Sequence, residues 1–147
     1  MAEYSAPGTL TAPGPLTITF NTGTLPFGYH DPDMCSGLEV HSPRRAVTED
    51  RPRTHGGIAY PRLKRPREIV LGGWALGASL AARSGWIDDL AAVLDALDSG
   101  GGTYVWVESV GTKTVSDVWS DGNGLTTTGK WIKKYQFSLV APDPDIT

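Results

Sequence analysis

The sequence predicts a mainly β protein of the α+β kind: a small antiparallel β-sandwich with one packed α-helix, a long extended N-terminal arm and long loops. Three observations carry that expectation. Gly and Pro number 18 and 11 among 147 residues, a composition that favours short strands and tight turns over a helical bundle. Several short runs alternate apolar and polar residues, as half-buried strands require. A single stretch, near residues 85–98, shows the three- and four-residue apolar spacing of an amphipathic helix.

The elements follow in chain order. Residues 1–15, rich in Pro and Gly, read as an extended arm without a core of its own, and residues 16–147 as one domain. In "LTITFN", Leu16, Ile18 and Phe20 point one way and Thr17, Thr19 and Asn21 the other, which makes a strand. From Gly23 to Pro66 the chain is mostly breakers and charge. A structureless loop of that length is uncommon in a compact domain, so short strands are expected within it, at Leu38 to His41 and Gly57 to Tyr60. "REIVLGGWALG" has a β-branched centre at Ile69 and Val70, and its glycines at 72, 73 and 77 suggest a bend or bulge between two short strands.

The helix is expected to start at an N-cap on Ser84. Asp88 and Asp89 then fall in its early turns, Ile87, Leu90, Ala91, Leu94 and Leu97 share its apolar face, and "SGGG" stops it. Three strands follow, in "TYVWVES", "KTVSDVW" and "KWIKKYQFSLV", the last with Trp131, Lys133, Tyr135, Phe137 and Leu139 on one face. The core is expected from Leu16, Ile18, Phe20, Ile69, Leu71, Leu90, Leu94, Leu97, Trp106, Tyr135, Phe137 and Leu139.

Charge and motifs narrow the function. A net charge of -3 and a pI near 5.5 give no global reason to expect nucleic acid or an anionic membrane as partner. No window approaches the roughly 18 apolar residues of a membrane-spanning helix, so no membrane is expected. Cys35, the lone cysteine, cannot form an intrachain disulfide. "GLTTTGKW" has the glycine and lysine spacing of a phosphate-binding loop, but Trp131 stands where a Ser or Thr would hold magnesium, and it reads as a hairpin loop. "HDPDMC" gathers His30, Asp31, Asp33 and Cys35 without the spaced ligand pairs of a zinc site, and reads as a polar turn. Nothing supplies a nucleophile in a recognisable setting, and Asp88, Asp89, Asp95 and Asp98 read as the solvated helix face. The expectation is a non-enzyme without catalytic, cofactor or metal sites.

The basic residues are more informative. Arg44, Arg45, Arg51, Arg53, Arg62, Lys64, Arg65 and Arg67 are eight of the 13 Lys and Arg of the chain. They suit three readings: a solvated surface, pairing with carboxylates of an adjacent subunit, for which the planar guanidinium is fitted, or phosphate contact, for which interleaved aromatics and a recognition helix are lacking. The candidate inter-subunit contacts are Arg44, Arg45, Arg51, Arg53 and Arg65, with Tyr4 and Pro7 of the arm.

The stretch from "RTHGGIAYPRLKRPREIVLGG" through "WIDDLAAVLDAL" to "WIKKYQFSLVAPDP" resembles the N-terminal domain of siphophage distal tail proteins and related phage minor tail proteins. The matching features are Gly56 and Gly57, the Arg-bearing strand from Arg67 to Gly72, the helix rhythm from Leu90 to Leu97, and the closing stretch from Phe137 to Pro144. The resemblance implies a β-sandwich belt domain assembled as a ring of six at the virion tail tip, put together in the host cytoplasm. Its implied partners are further copies of itself, the tail tube protein, the tape-measure protein and the tail-tip hub protein, with DNA only passing through the lumen. Many relatives carry a further module; with Thr147 last, the expectation here is a belt alone. Other readings are another minor tail or connector protein and, from a different class, a carbohydrate-binding β-sandwich using the five Trp and five Tyr.

Overall fold

The computed structural model describes residues 4–39, 44–50, 57–121 and 124–147, with the segments 44–50 and 57–64 described by their backbone alone. The strands are β1 (Gly8–Ala12), β2 (Leu16–Phe20), β3 (Phe27–His30), β4 (Arg44–Asp50), β5 (Gly57–Lys64), β6 (Arg67–Leu76), β7 (Gly102–Glu108), β8 (Gly111–Ser120), β9 (Thr126–Thr128) and β10 (Lys134–Ala141); the helix α1 spans Leu80–Leu97.

Among the described residues the protein is mainly β with one α-helix, but its large sheet is a closed barrel and not a sandwich. Strands run in the order β6-β3-β2-β1-β7-β8-β10, and β10 returns to β6, pairing from Lys134↔Trp74 through Ala141↔Arg67. That last pairing is the physical reason for the difference, because it joins two strands that would otherwise be open sheet edges. The other edge of β10 is shared between β9 at Lys134–Gln136 and β8 at Leu139 and Val140. After the Pro142–Asp145 excursion the same antiparallel pairing resumes, with Val115 bridged to Ile146 and Thr114 and Thr147 exchanging backbone hydrogen bonds of 2.8 and 2.9 Å. The prolines interrupt this seam without ending it.

The expected N-terminal arm contributes to the barrel wall. Gly8–Ala12 lies between β2 and β7, in register from Gly8↔Phe20 to Ala12↔Leu16 and from Gly8↔Trp106 to Thr11↔Thr103. Its alternation buries Leu10 and Ala12, and a fully buried Leu contributes on the order of 2 kcal/mol. Asn21 locks the arm down. At φ 55, in the left-handed region that asparagine tolerates, its Nδ2 donates to the carbonyls of Tyr4 (2.8 Å) and Ala6 (3.1 Å), while its Oδ1 accepts the His30 N–H at 3.0 Å.

The helix begins earlier than expected, capped by Ser79, whose Oγ accepts the Ala82 N–H at 3.1 Å. Alanines at 81 and 82 are strong helix formers, which explains the extra turn, and Ser84 lies inside the helix. Trp86, Leu90, Val93, Leu94 and Leu97 face the barrel, against β1, β2, β6 and β8. The glycines at 72 and 73 do not divide β6. A Cβ at Gly73 would run into the carbonyl of Tyr29 on the neighbouring strand, so glycine is what permits β3 to pair there.

Of the expected core residues, Leu16 is 43% exposed at the start of its strand and the others are buried. The strand expected at residues 38–41 is absent at Leu38 and Glu39, and the rest of it lies outside the described residues. The strand at 57–60 exists and runs on to Lys64, pairing with β4 as a separate two-stranded ribbon.

Candidate interaction surface

The residues of the run "HDPDMC" are placed one by one. His30 lies at the centre of the barrel. Tyr135 Oη is 2.7 Å from its Nδ1 and Tyr104 Oη is 3.2 Å from its Nε2, and the imidazole stacks on Phe20 at 4.4 Å between centroids. Burial pushes its pKa down to about 3, so the ring is neutral near pH 7 and offers one donor and one acceptor to two hydroxyls. Asp31 is turned away and accepts the Asp33 N–H at 3.0 Å. The Cys35 thiol faces the Gly72 backbone at 3.4 Å, and burial raises its pKa to about 11, which leaves it a poor nucleophile. The run "HDPDMC" therefore sends its ring inward and its carboxylate into a turn. Among the described residues no group of three or more His, Cys, Asp or Glu is arranged to hold a metal ion. In "GLTTTGKW", Thr126–Thr128 forms β9 and pairs with β10, with no helix after the lysine.

Of the eight basic residues, Arg65 and Arg67 have described side chains. Arg44 and Arg45 open β4 opposite Lys64 and Leu63, and Arg51 and Arg53 lie outside the described residues. Arg65 is exposed between β5 and β6. Arg67 is only 2% exposed and acts as a staple: Nε donates to the Pro144 carbonyl at 2.7 Å, and Nη1 donates to Gly37 O at 2.7 Å and Glu39 O at 2.9 Å. Of the two arm residues, Tyr4 is half-buried, with its hydroxyl accepting the Leu38 N–H at 3.4 Å. The Pro7 ring is exposed while its carbonyl accepts the Val107 N–H at 2.9 Å.

A surface that the sequence reading missed lies where β6 ends, α1 begins and the β9–β10 loop turns. Trp74, Ala75, Leu76, Arg83, Trp131 and Ile132 line a groove of about 550 Å³. Trp131 and Ile132 are 69% and 65% exposed. The alternation that assigned Trp131 to the last strand overran it, because β10 begins only at Lys134. Tyr29 stacks on Trp74 at 6.1 Å, Lys134 Nζ lies 5.8 Å from the Trp74 ring and Lys130 Nζ 5.9 Å from the Trp131 ring. These are cation–π distances. Arg83 Nη1 reaches the Gly77 carbonyl at 3.4 Å, while its Nε is buried without a hydrogen-bond partner. The surface is thus aromatic at its floor and cationic at its rim.

A second, smaller notch of about 230 Å³ lies farther along the helix, lined by Ala91, Leu94, Asp95, Asp98, Ser120, Gly124 and Leu125. Its rim is acidic. Among the described residues no helix is long and apolar enough to cross a membrane.

No family model and no curated protein matches the chain. Solved structures do align with it, one of them with a shared fold. The SPP1 Dit protein, described as a paradigm of the hub adsorption apparatus in phages infecting Gram-positive bacteria, aligns over 93% of this chain with a TM-score of 0.58 at 15% identity. The chain spans 50% of that protein's length. The tube-terminating cap of the anti-feeding prophage aligns over 100% of this chain and 89% of its own at 15% identity, with a TM-score of 0.43. The sheath–tube complex of an extracellular contractile injection system, PVC, in its extended state, aligns over 95% and 86% at 16% identity, with a TM-score of 0.44.

Proposed function

We propose that this chain is a structural component of a siphophage tail tip, a barrel subunit that assembles with copies of itself into a ring, six in number, joining the tail tube to the hub and lining the passage for DNA. The observation that carries the reading is the fold shared with SPP1 Dit over nearly the whole chain. Two features of the molecule support assembly. The β4–β5 ribbon stands as its own two-stranded sheet, and such ribbons are marginal alone in water, so a neighbour that packs on it stabilises it. The ribbon and its flanks carry Arg44, Arg45, Arg51, Arg53 and Arg65, which this reading assigns to contacts with adjoining subunits or tail proteins, as it does the exposed Pro7 edge beside Tyr4. On this reading the chain is a non-enzymatic part of the virion.

Light scattering on the purified chain after size exclusion tests the reading. A particle of about six times 15.7 kDa is expected. A strict monomer at micromolar concentration contradicts a self-sufficient ring. The same subunit at the head-proximal end of a tail map points instead to a connector.

A further inference from the structure

The charges on α1 run against its own dipole. A helix favours anions at its N-terminus and cations at its C-terminus. Here no acidic residue occupies the first turn and no basic residue the last. Arg83 sits about a turn inside the positive end, while Asp95 and Asp98 sit at the negative end, Asp98 as the C-cap itself. Asp95 and Asp98 are also three apart, so they repel each other as well. From Ser84 to Leu97 the helix has no Lys or Arg to offset its exposed Asp88, Asp89 and Asp95. An isolated subunit leaves both ends of this helix in unfavourable fields.

Each end also carries the shape that the other lacks. Beside Arg83 the Trp131–Ile132 loop stands out, apolar and flanked by Lys130 and Lys134. Beside Asp95 and Asp98 is the small notch floored by Ala91, Leu94 and Leu125. The helix rises about 1.5 Å per residue, so the two sites lie roughly 18 Å apart along it. That spacing keeps one chain from closing the contact on itself.

We propose that the Lys130–Lys134 loop, led by Trp131 and Ile132, docks in the Asp95/Asp98 notch of a second copy of this chain. The apolar tips bury against Leu94 and Leu125, and Arg83, Lys130 and Lys134 face Asp95 and Asp98. Each subunit then offers one loop and one notch, a heterologous contact that closes into a ring when the rotation permits. The inference deepens the ring reading and rests on it for the occupant.

Charge exchange between two variants tests it. K130E/K134E has acidic groups at both sites and D95K/D98K has basic groups at both. All four positions are exposed, so each variant is expected to fold, with D95K/D98K melting no lower than wild type because it replaces the charges that oppose the helix dipole. Each alone is expected to self-associate at least about ten-fold more weakly than wild type by sedimentation velocity, since a few exposed pairs at roughly 0.2–1 kcal/mol each are inverted. Mixed in equal amounts the two variants should recover wild-type assembly as an alternating particle. If wild type assembles and either variant does so unchanged, or the mixture does not recover, the contact is wrong and the ring reading stands. Recovery limited to pairs keeps the contact and removes the ring. A wild type that never self-associates overturns both, and if the tryptophan fluorescence of that monomer responds to host cell-wall glycans and Trp131→Ala abolishes the response, the groove is a sugar platform.

Discussion

Phe20, Trp86, Tyr104 and Tyr135 are enclosed within the barrel, whereas Tyr29, Trp74 and Trp131 lie along its outside at the end of β6, half-buried or exposed. The residue types are alike and the environments opposite. Inside, Phe20 meets Trp86 edge-on at 5.6 Å and Tyr104 and Tyr135 at 6.2 and 6.1 Å, and the two tyrosine hydroxyls are tied to His30. Burial raises both phenol pKa values, which keeps those hydroxyls protonated and able to donate. Outside, the polar companions of the rings are Lys130 and Lys134, held by cation–π attraction near water. The inner group realises its energy when one chain folds; the outer group leaves apolar area that only association can bury.

The largest effect should come from breaking the inner group. Phe20→Ala removes the ring that four other aromatics and His30 pack on, and about 3–5 kcal/mol of stability should go with it in urea unfolding. A loss below about 1 kcal/mol would show that the cluster is loosely packed. Next is Arg67→Met, which fills similar space but leaves the Pro144, Gly37 and Glu39 carbonyls without their donor. Roughly 2–4 kcal/mol is expected, together with faster amide exchange at Ile146 and Thr147, since the staple holds the returning tail.

These two regions were not equally legible in the sequence. Period-two alternation found Ile18, Phe20, Tyr135, Phe137 and Leu139, the β-branched centre at Ile69 and Val70 marked its strand, and spacing found Leu90, Leu94 and Leu97, because those signals are local. β1 was hidden because Pro7, Pro13, Gly14 and Pro15 dominate a short window, although Leu10 and Ala12 alternate between them and Pro13–Pro15 makes the hairpin turn to β2. Barrel closure depends on β10 finding β6 more than fifty residues earlier, and no local pattern encodes a partner. His30 read as part of a polar turn, since its two tyrosine partners are 74 and 105 residues away. The outer groove was missed for the reverse reason: alternation continues through Trp131 and Lys133, but Gly129 at φ 99 turns the chain before β10 begins.

His30 offers a gentler way to probe the inner group. Its pKa is lower in the fold, about 3, than its ordinary 6.5, so between those values the unfolded chain binds a proton that the native state excludes. Its stabilising contribution is complete above pH 6.5 and falls as the pH drops toward 3, by about 1.4 kcal/mol per unit. About 2 kcal/mol should therefore be lost at pH 5. Carboxylates titrate in the same range, so the measurement is the difference between wild type and His30→Gln, which keeps a donor and an acceptor but cannot take up the proton. Parallel pH profiles of the two proteins would show that the ring is not shielded as its burial implies.

The smallest effect on stability should come from the outer group, and there the comparison is sharpest. Trp131→Ala deletes the largest exposed side chain of the loop, yet in the free subunit the ring already meets water over 69% of its surface. Unfolding should change by no more than about 0.5 kcal/mol, as for surface substitutions generally. An aromatic that anchors a contact behaves otherwise on association, where truncation costs at least about 2 kcal/mol, or roughly thirty-fold in the dissociation constant. Phe20→Ala and Trp131→Ala should thus separate folding from assembly, the first lowering stability and the second weakening assembly at constant stability. If Trp131→Ala instead destabilises the monomer as a core substitution does, the groove is closed in solution and its rings belong with those of the interior.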